Sequence, residues 1–198
     1  SQLAIAEREL RRDEGLAAEM LDLDGDGSDE VWIHSGRFSA IVAPARGGAL
    51  EEYTRFDTGR NHADTLTRRL EPYHLPRPHH ADAPAHEGTA SIHEIEASLV
   101  FDTPPPVDLD DRAIGVPRIV SGDVTADDYA RAAYEPVVTF ARTRCAARIE
   151  QIGLDVVVHC TAAGYAVAWR LSPAGTINVR YTWDGAALPP GARFAPEL

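Results

Sequence analysis

From Tyr165 to Trp183 the side chains alternate with a period of two on both sides of a single break. Tyr165, Val167, Trp169 and Leu171 take every second position, Pro173-Ala174-Gly175 interrupts, and Ile177, Val179, Tyr181 and Trp183 resume the pattern. An amphipathic helix repeats its apolar residues every three to four positions, so this stretch predicts two half-buried strands. Pro at the second turn position and Gly at the left-handed one predict a three-residue loop with a bulge between them. A second hairpin is expected just upstream. With a turn at Ile152-Gly153, Ile149 faces Val156, Ala147 faces Val158 and Cys145 faces Cys160 on one apolar side. The other side then pairs Arg144 with Thr161 and Ala146 with His159. A one-residue slip would mix the two faces. Consecutive hairpins with Gly/Pro turns point to an antiparallel sandwich.

The N-terminal half is read the same way. Residues 2–14 predict a short helix with Leu3, Ala6 and Leu10 on one face and Gly15 as its stop. Val31 to Val42 predicts a hairpin about Ser35-Gly36, with Ile33 opposite Phe38 and Val31 opposite Ala40. Residues 75–91 and 103–123, rich in Pro, Asp and His, read as loops. Thr125 to Tyr134 predicts a short helix capped by Thr125, with Asp127 and Asp128 in its first turn. A length of 198 residues suits one sandwich (16–198) behind a helical lead-in (1–15).

Charge narrows the partners. Nineteen basic residues, all Arg, stand against 31 carboxylates, a net charge of −12. Such a surface repels phosphate backbones and anionic lipid, so neither nucleic acid nor membrane is an expected partner. No apolar run reaches the ~20 residues of a membrane span, and the N-terminus lacks signal-peptide order. A cytoplasmic protein is expected, with its two cysteines as reduced thiols.

Three clusters carry possible chemistry. In DLDGDGSDE (Asp22–Glu30), Asp22, Asp24 and Asp26 recur at alternate positions, with Gly27 at the sharp turn, Ser28 offering a carbonyl and Glu30 following. Such spacing wraps a Ca²⁺ ion in oxygen ligands; it equally describes an acidic turn that bends without metal. Ile33 stands where an EF-hand needs Glu, and the flanks are strand-like. In NHADTLTRRLEPYH (Asn61–His74), Asn61, Thr67, Arg68, Arg69, Glu71, Tyr73 and His74 offer donors, acceptors and an aromatic ring. That mixture suits sugar hydroxyls, and it also describes an Arg-rich edge paired with the excess carboxylates. Five histidines, His74, His79, His80, His86 and His93, fall in or near a Pro-rich loop without zinc-site spacing. No nucleophile motif is present, and the abundant acids single out no catalytic pair.

The order of motifs adds what no single one gives. AEREL, LDLDGDGSDEVWIHS, P-A-R-G-G-A-L-E-E-Y (Pro44–Tyr53), N-x-x-x-T-L-T-R-R-x-E-x-Y-H, SIHE (Ser91–Glu94) and DDYAR (Asp127–Arg131) follow one another. This series resembles the C-terminal β-sandwich domain of the α-amylases/4-α-glucanotransferases of glycoside hydrolase family fifty-seven, leaving 103–123 unmatched. The resemblance implies a galactose-mutarotase-like antiparallel β-supersandwich packed on a catalytic (β/α)₇ barrel. The nucleophile and acid of the family lie on that barrel, so a non-catalytic accessory domain is implied, with the barrel in cis or in trans and α-1,4-glucan as partners. By the same resemblance, residues 2–14 end a connecting helical segment and Phe194–Leu198 begin a strand. Gly47, Gly48, Glu52, Asn61, Thr67, Arg68, Arg69, Glu71, Tyr73 and His74 match the family pattern and are expected to face glucan or barrel. Glu135-Pro136 stands where the family tends to have Asp-His, so any contact by that His is lost. Two alternatives remain open: a calcium-stabilised interaction module, and a mutarotase-like sugar enzyme using His74 with Glu71 or Glu197.

Overall fold

The computed structural model describes residues 2–63, 65–71, 105–185 and 188–197. Helix α1 (Gln2–Leu10) leads into β1 (Ala17–Leu21), β2 (Glu30–His34), β3 (Phe38–Ala43), β4 (Ala49–Arg55) and β5 (Arg60–Asn61). After these come β6 (Val116–Val120), helix α2 (Ala126–Ala130), β7 (Val138–Thr139), β8 (Ala146–Ile152), β9 (Asp155–Ala162), β10 (Tyr165–Leu171), β11 (Ile177–Trp183) and β12 (Arg193–Glu197). They form three antiparallel sheets, ordered β1-β2-β3-β4-β5, β11-β10-β9-β8 and β12-β6-β7. This is the mostly-β, antiparallel architecture with a short N-terminal helix that the sequence predicts. Among the described residues, no helix is long and apolar enough to cross a membrane.

The main core lies between the first two sheets. Val31, Ile33, Phe38, Ala40, Val42 and Leu50 pack against Val156, Val158, Cys160, Tyr165, Val167, Trp169 and Leu171. Each set takes alternate positions along its strands, so the period-two pattern is the record of this one buried layer. The β10–β11 hairpin follows its prediction. Leu171 faces Ile177, Gly175 is left-handed at φ +82°, and the Ser172 N–H donates to the Thr176 carbonyl across the three-residue turn.

Two other registers differ from prediction by two residues each. In β2–β3, Val31 faces Val42 and Ile33 faces Ala40, not Ala40 and Phe38. The Ser35 hydroxyl accepts from the Arg37 and Phe38 N–H groups, which builds a four-residue turn. In β8–β9 the turn is Gly153-Leu154, so Ile149 faces Val158, Ala147 faces Cys160, Ala146 faces Thr161 and Arg148 faces His159. Cys145 therefore does not sit opposite Cys160. Its N–H donates to the Pro44 carbonyl of the opposing layer, which draws the chain off the β8–β9 ladder. Both cysteines are buried free thiols, and burial raises both, Cys160 to about 12.

The 103–123 loop needs correction, because Val116–Val120 is a fully buried strand. Pro117 reads as a breaker, yet in the fold it faces Pro196 of β12, so the two residues without an N–H lie opposite each other. A bridge between Leu50 and Ile114 ties this third sheet to the first. Arg118 on β6 is 1% exposed; its Nη2 donates to Asp110 Oδ2 at 3.1 Å. Its Nη1 pairs with Glu197 Oε1 at 2.7 Å, and its Nε meets no acceptor.

Helix α1 is shorter than predicted and faces the other way. It ends at Leu10, and the chain closes with a turn whose Glu14 carbonyl accepts from Gly36. Gly36 is required there, since a Cβ would fall 2.6 Å from the Arg12 carbonyl. Leu3, Ala6 and Leu10 share a face as predicted, but that face is open: Leu3 is 82% and Leu10 84% exposed. The helix rests instead on Ala4, Glu7 and Arg11. Arg11 stacks 4.3 Å from the Trp32 ring, bonds to Glu7 at 3.2 Å and reaches His34 Nδ1 at 2.8 Å. The outer face of β2 offers an indole and an imidazole, which suit a guanidinium better than a leucine.

Candidate functional site

Gly47-Gly48 is where the family-like motif meets the core. Both residues are buried and left-handed, at φ +66° and +71°. A Cβ on Gly48 would lie 2.6 Å from Val167 Cγ1 and 2.8 Å from Cys160 Cβ. The Tyr165 hydroxyl donates to the Gly47 carbonyl at 2.9 Å and Trp169 Nε1 to the Gly48 carbonyl at 2.7 Å. The glycine pair is thus a close-approach point between layers, and it does not face outward as the motif suggested.

The remaining residues of the motif divide between two clefts. Past Asn61 the chain leaves β5, and Thr67, Arg68, Arg69 and Leu70 line a cleft of about 540 Å³ with Ala45, Arg46, Val107–Asp111, Ala141 and Arg142. Arg68 is locked. Its N–H and Nε meet Asp108 at 2.7 and 2.8 Å, and Nη1 donates to the Ala130 carbonyl at 3.0 Å. Arg112 adds two more bonds to Asp108, at 2.9 and 3.2 Å. Burial would raise the Asp108 carboxyl, but the bonds from Arg68 and Arg112 outweigh it and hold the group near 2. Thr67 Oγ1 accepts from the Arg112 N–H. Arg69 is the accessible member, 66% exposed in its side chain and 2.8 Å from Asp111. Arg142 meets Asp110 at 2.7 Å on the far wall.

Glu52 and Asn61 lie elsewhere, in a second cleft of about 540 Å³ between α1 and β4–β5, with Leu3, Ala4, Glu7, Thr54, Gly59 and Arg60. Glu52 accepts from the Thr54 hydroxyl at 2.9 Å. The Asn61 side-chain Oδ1 accepts from the Tyr53 and Ala63 N–H groups, a structural use of its acceptor. Glu71 is described and exposed. Tyr73, His74, His79, His80, His86, His93 and SIHE lie outside the described residues. The mutarotase-like candidate Glu197 is engaged with buried Arg118.

The acidic loop brings part of its predicted set together. Carboxylate oxygens of Asp22, Asp24 and Glu30 fall within 4.8 Å of one another. Glu30 is buried; desolvation pushes its carboxyl up, against the bond from the Leu23 N–H, and Asp24 and Asp26 push it further. Asp26 instead caps the Ser28 N–H, and the Ser28 hydroxyl accepts from Arg144.

Both the Gly47-Gly48 seam and the Thr67–Arg69 cleft fall inside a single family match. The family described as "Alpha-amylase/4-alpha-glucanotransferase, C-terminal" matches residues 22–198. The chain belongs to this family. Its match runs through 103–123, which the motif resemblance left out. The 4-alpha-glucanotransferase of Thermococcus kodakarensis is 35% identical over 115 residues, 57% of this chain and 18% of that protein. An alpha-amylase of Pyrococcus abyssi is 33% identical over 118 residues, covering 58% and 18%. The solved 4-alpha-glucanotransferase of Thermococcus litoralis shares the fold at a TM-score of 0.59 and 23% identity, over 88% of this chain and 25% of that one. The chain therefore matches under a fifth of the length of the two curated relatives and a quarter of the solved one, and corresponds to the C-terminal domain of such enzymes.

Sequence reasoning did not single out Asp108, Asp110, Asp111, Arg46 or Arg142, which complete the first cleft. The signal was present in the acidic run Asp108-Leu109-Asp110-Asp111, the complement of Thr67-Arg68-Arg69.

Proposed function

We propose that this chain is the non-catalytic accessory domain of an enzyme acting on α-1,4-glucans, that it seats on a catalytic domain, and that the Thr67–Arg69 cleft holds glucan. The carrying observation is the cleft itself. Its exposed wall presents donor and acceptor side by side in Arg69 and Asp111, both more than half exposed, and Arg142 adds an exposed guanidinium anchored on the largely buried Asp110. A sugar hydroxyl donates and accepts at once, so paired guanidinium and carboxylate groups suit it. Leu70 and Val107 add exposed apolar surface to the lining. Calorimetric titration of the chain with maltoheptaose tests this: saturable binding that Arg69→Ala weakens about tenfold is expected. A flat titration would leave the domain a scaffold.

A calcium ion at the Asp22 loop belongs to the same reading. The donor set supports it, since Asp22, Asp24 and Glu30 offer only carboxylate oxygens, the ligands a hard cation takes. Here the ion would tie the β1–β2 connection. Calcium should raise the melting temperature of chelator-treated protein; an unchanged melting curve counts against it.

A further inference from the structure

Asp110 divides its carboxylate between a buried cation and an exposed one. Its Oδ2 accepts from Arg118 Nη2 at 3.1 Å, and its Oδ1 accepts from Arg142 Nε at 2.7 Å. The three side chains run from the core to the rim of the first cleft, at 1% exposure for Arg118, 10% for Asp110 and 79% for Arg142. Arg118 stands on β6, the middle strand of the third sheet, between β12 and β7. Glu197 of β12 pairs with its Nη1 at 2.7 Å. A guanidinium enclosed in this way has little room to move, and the carboxylate bonded to it is fixed in turn.

We propose that Asp110, fixed from below by Arg118, is the positioning residue that presets Arg142 for glucan in this cleft. The inference deepens the glucan-cleft reading and rests on it. Arg142 is held at two points, since its Nη2 also donates to the Leu109 carbonyl at 3.3 Å. Among the described residues its Nη1 makes no hydrogen bond, which leaves those N–H groups for a sugar hydroxyl. A surface arginine ordinarily samples many rotamers and loses that freedom when a ligand fixes it. Here the fold fixes it beforehand, and such preorganisation strengthens binding by about two- to tenfold per side chain. Arg69 across the cleft has no such backing, because its partner Asp111 is itself 54% exposed.

Two measurements on the full chain test this. The NMR order parameter of the Arg142 Nε–H, assigned by its loss in Arg142→Lys, should approach the ~0.85 of rigid backbone in wild type; a value below ~0.6 overturns the proposal. In calorimetric titration with maltoheptaose, Asp110→Asn should weaken binding about fivefold in the wild-type background. In the Arg142→Ala background, where nothing is left to position, the same change should cost less than about twofold. Equal losses in both backgrounds, or an unchanged affinity, overturn the proposal. If Asp110→Asn does not fold, Arg142→Lys decides: it keeps the exposed charge without the planar fork and should bind as weakly as Arg142→Ala, whereas wild-type affinity overturns the proposal. A flat titration of wild type overturns the glucan reading and the proposal together. Wild-type binding with a mobile Arg142 overturns the proposal and leaves that reading standing.

Discussion

Asp108→Asn removes the charge that holds the first cleft together. Asp108 accepts from Arg68 and Arg112, and through Arg68 it fixes the carbonyl end of α2. Its carboxyl is 8% exposed and held near 2 from an ordinary 3.8. At about 1.4 kcal/mol per pH unit, that gap is worth roughly 2 kcal/mol of folding stability. Because the folded value lies below the unfolded one, the contribution is complete above pH ~4 and disappears as pH falls through about 2. Urea unfolding of wild type and Asp108→Asn at pH 7 should therefore differ by about 2 kcal/mol, or about 4–8 °C in melting temperature for a chain this long. The difference should shrink steadily between pH 4 and pH 2. A difference below about 0.5 kcal/mol at pH 7, or one that stays constant down to pH 2, would refute the account.

Three further outcomes follow from the geometry. Gly48→Ala forces a Cβ against Val167 and Cys160 at a left-handed position and should cost about 3 kcal/mol or more, seen as a large fall in melting temperature or loss of folded protein. Thr125→Ala breaks the Thr125/Asp128 capping box; about 1 kcal/mol should be lost, with the near-ultraviolet signal of the stacked Tyr129–Tyr134 pair reporting the local change. Glu30→Gln relieves a buried carboxyl whose raised folded value makes its charge unfavourable at neutral pH. The variant should be at least as stable as wild type in chelator and should lose the calcium-dependent rise in melting temperature.

The faces of the strands were legible and their partners less so. Alternation survives a shift of two residues, so Ile149 and Ala147 reach the core in either register. Gly153 can sit second or first in a two-residue turn, and only the remote Pro44 carbonyl decides where the ladder ends. The α1 stripe was legible as a stripe, but its direction depends on Trp32 and His34, which lie on a separate element. Val116–Val120 was hidden because the Pro117–Pro196 pairing that excuses its proline spans most of the second half of the chain. Of the candidate site, the two Arg residues differ in setting and not in pairing: Arg68 is locked on Asp108 and the α2 end, whereas Arg69 pairs with Asp111 and stays exposed. Glu52 and Asn61 share a motif with them and not a cleft, because the turn after β5 carries the chain away.

The clasp at Arg118 bears on the order in which this molecule assembles. Strands β8 to β11 join sequence neighbours through short turns, a route that needs little loop closure. Strand β12 must find β6 across more than seventy residues, so its pairing is the slow, non-local event. Until it arrives, Arg118 has Asp110 but not Glu197, and a guanidinium destined for burial stays hydrated. Docking of the last strand dehydrates that charge and supplies its second counter-ion in one step. A chain that loses its final residues would thus keep its hairpins and its main core, yet leave the third sheet ajar around a half-neutralised cation.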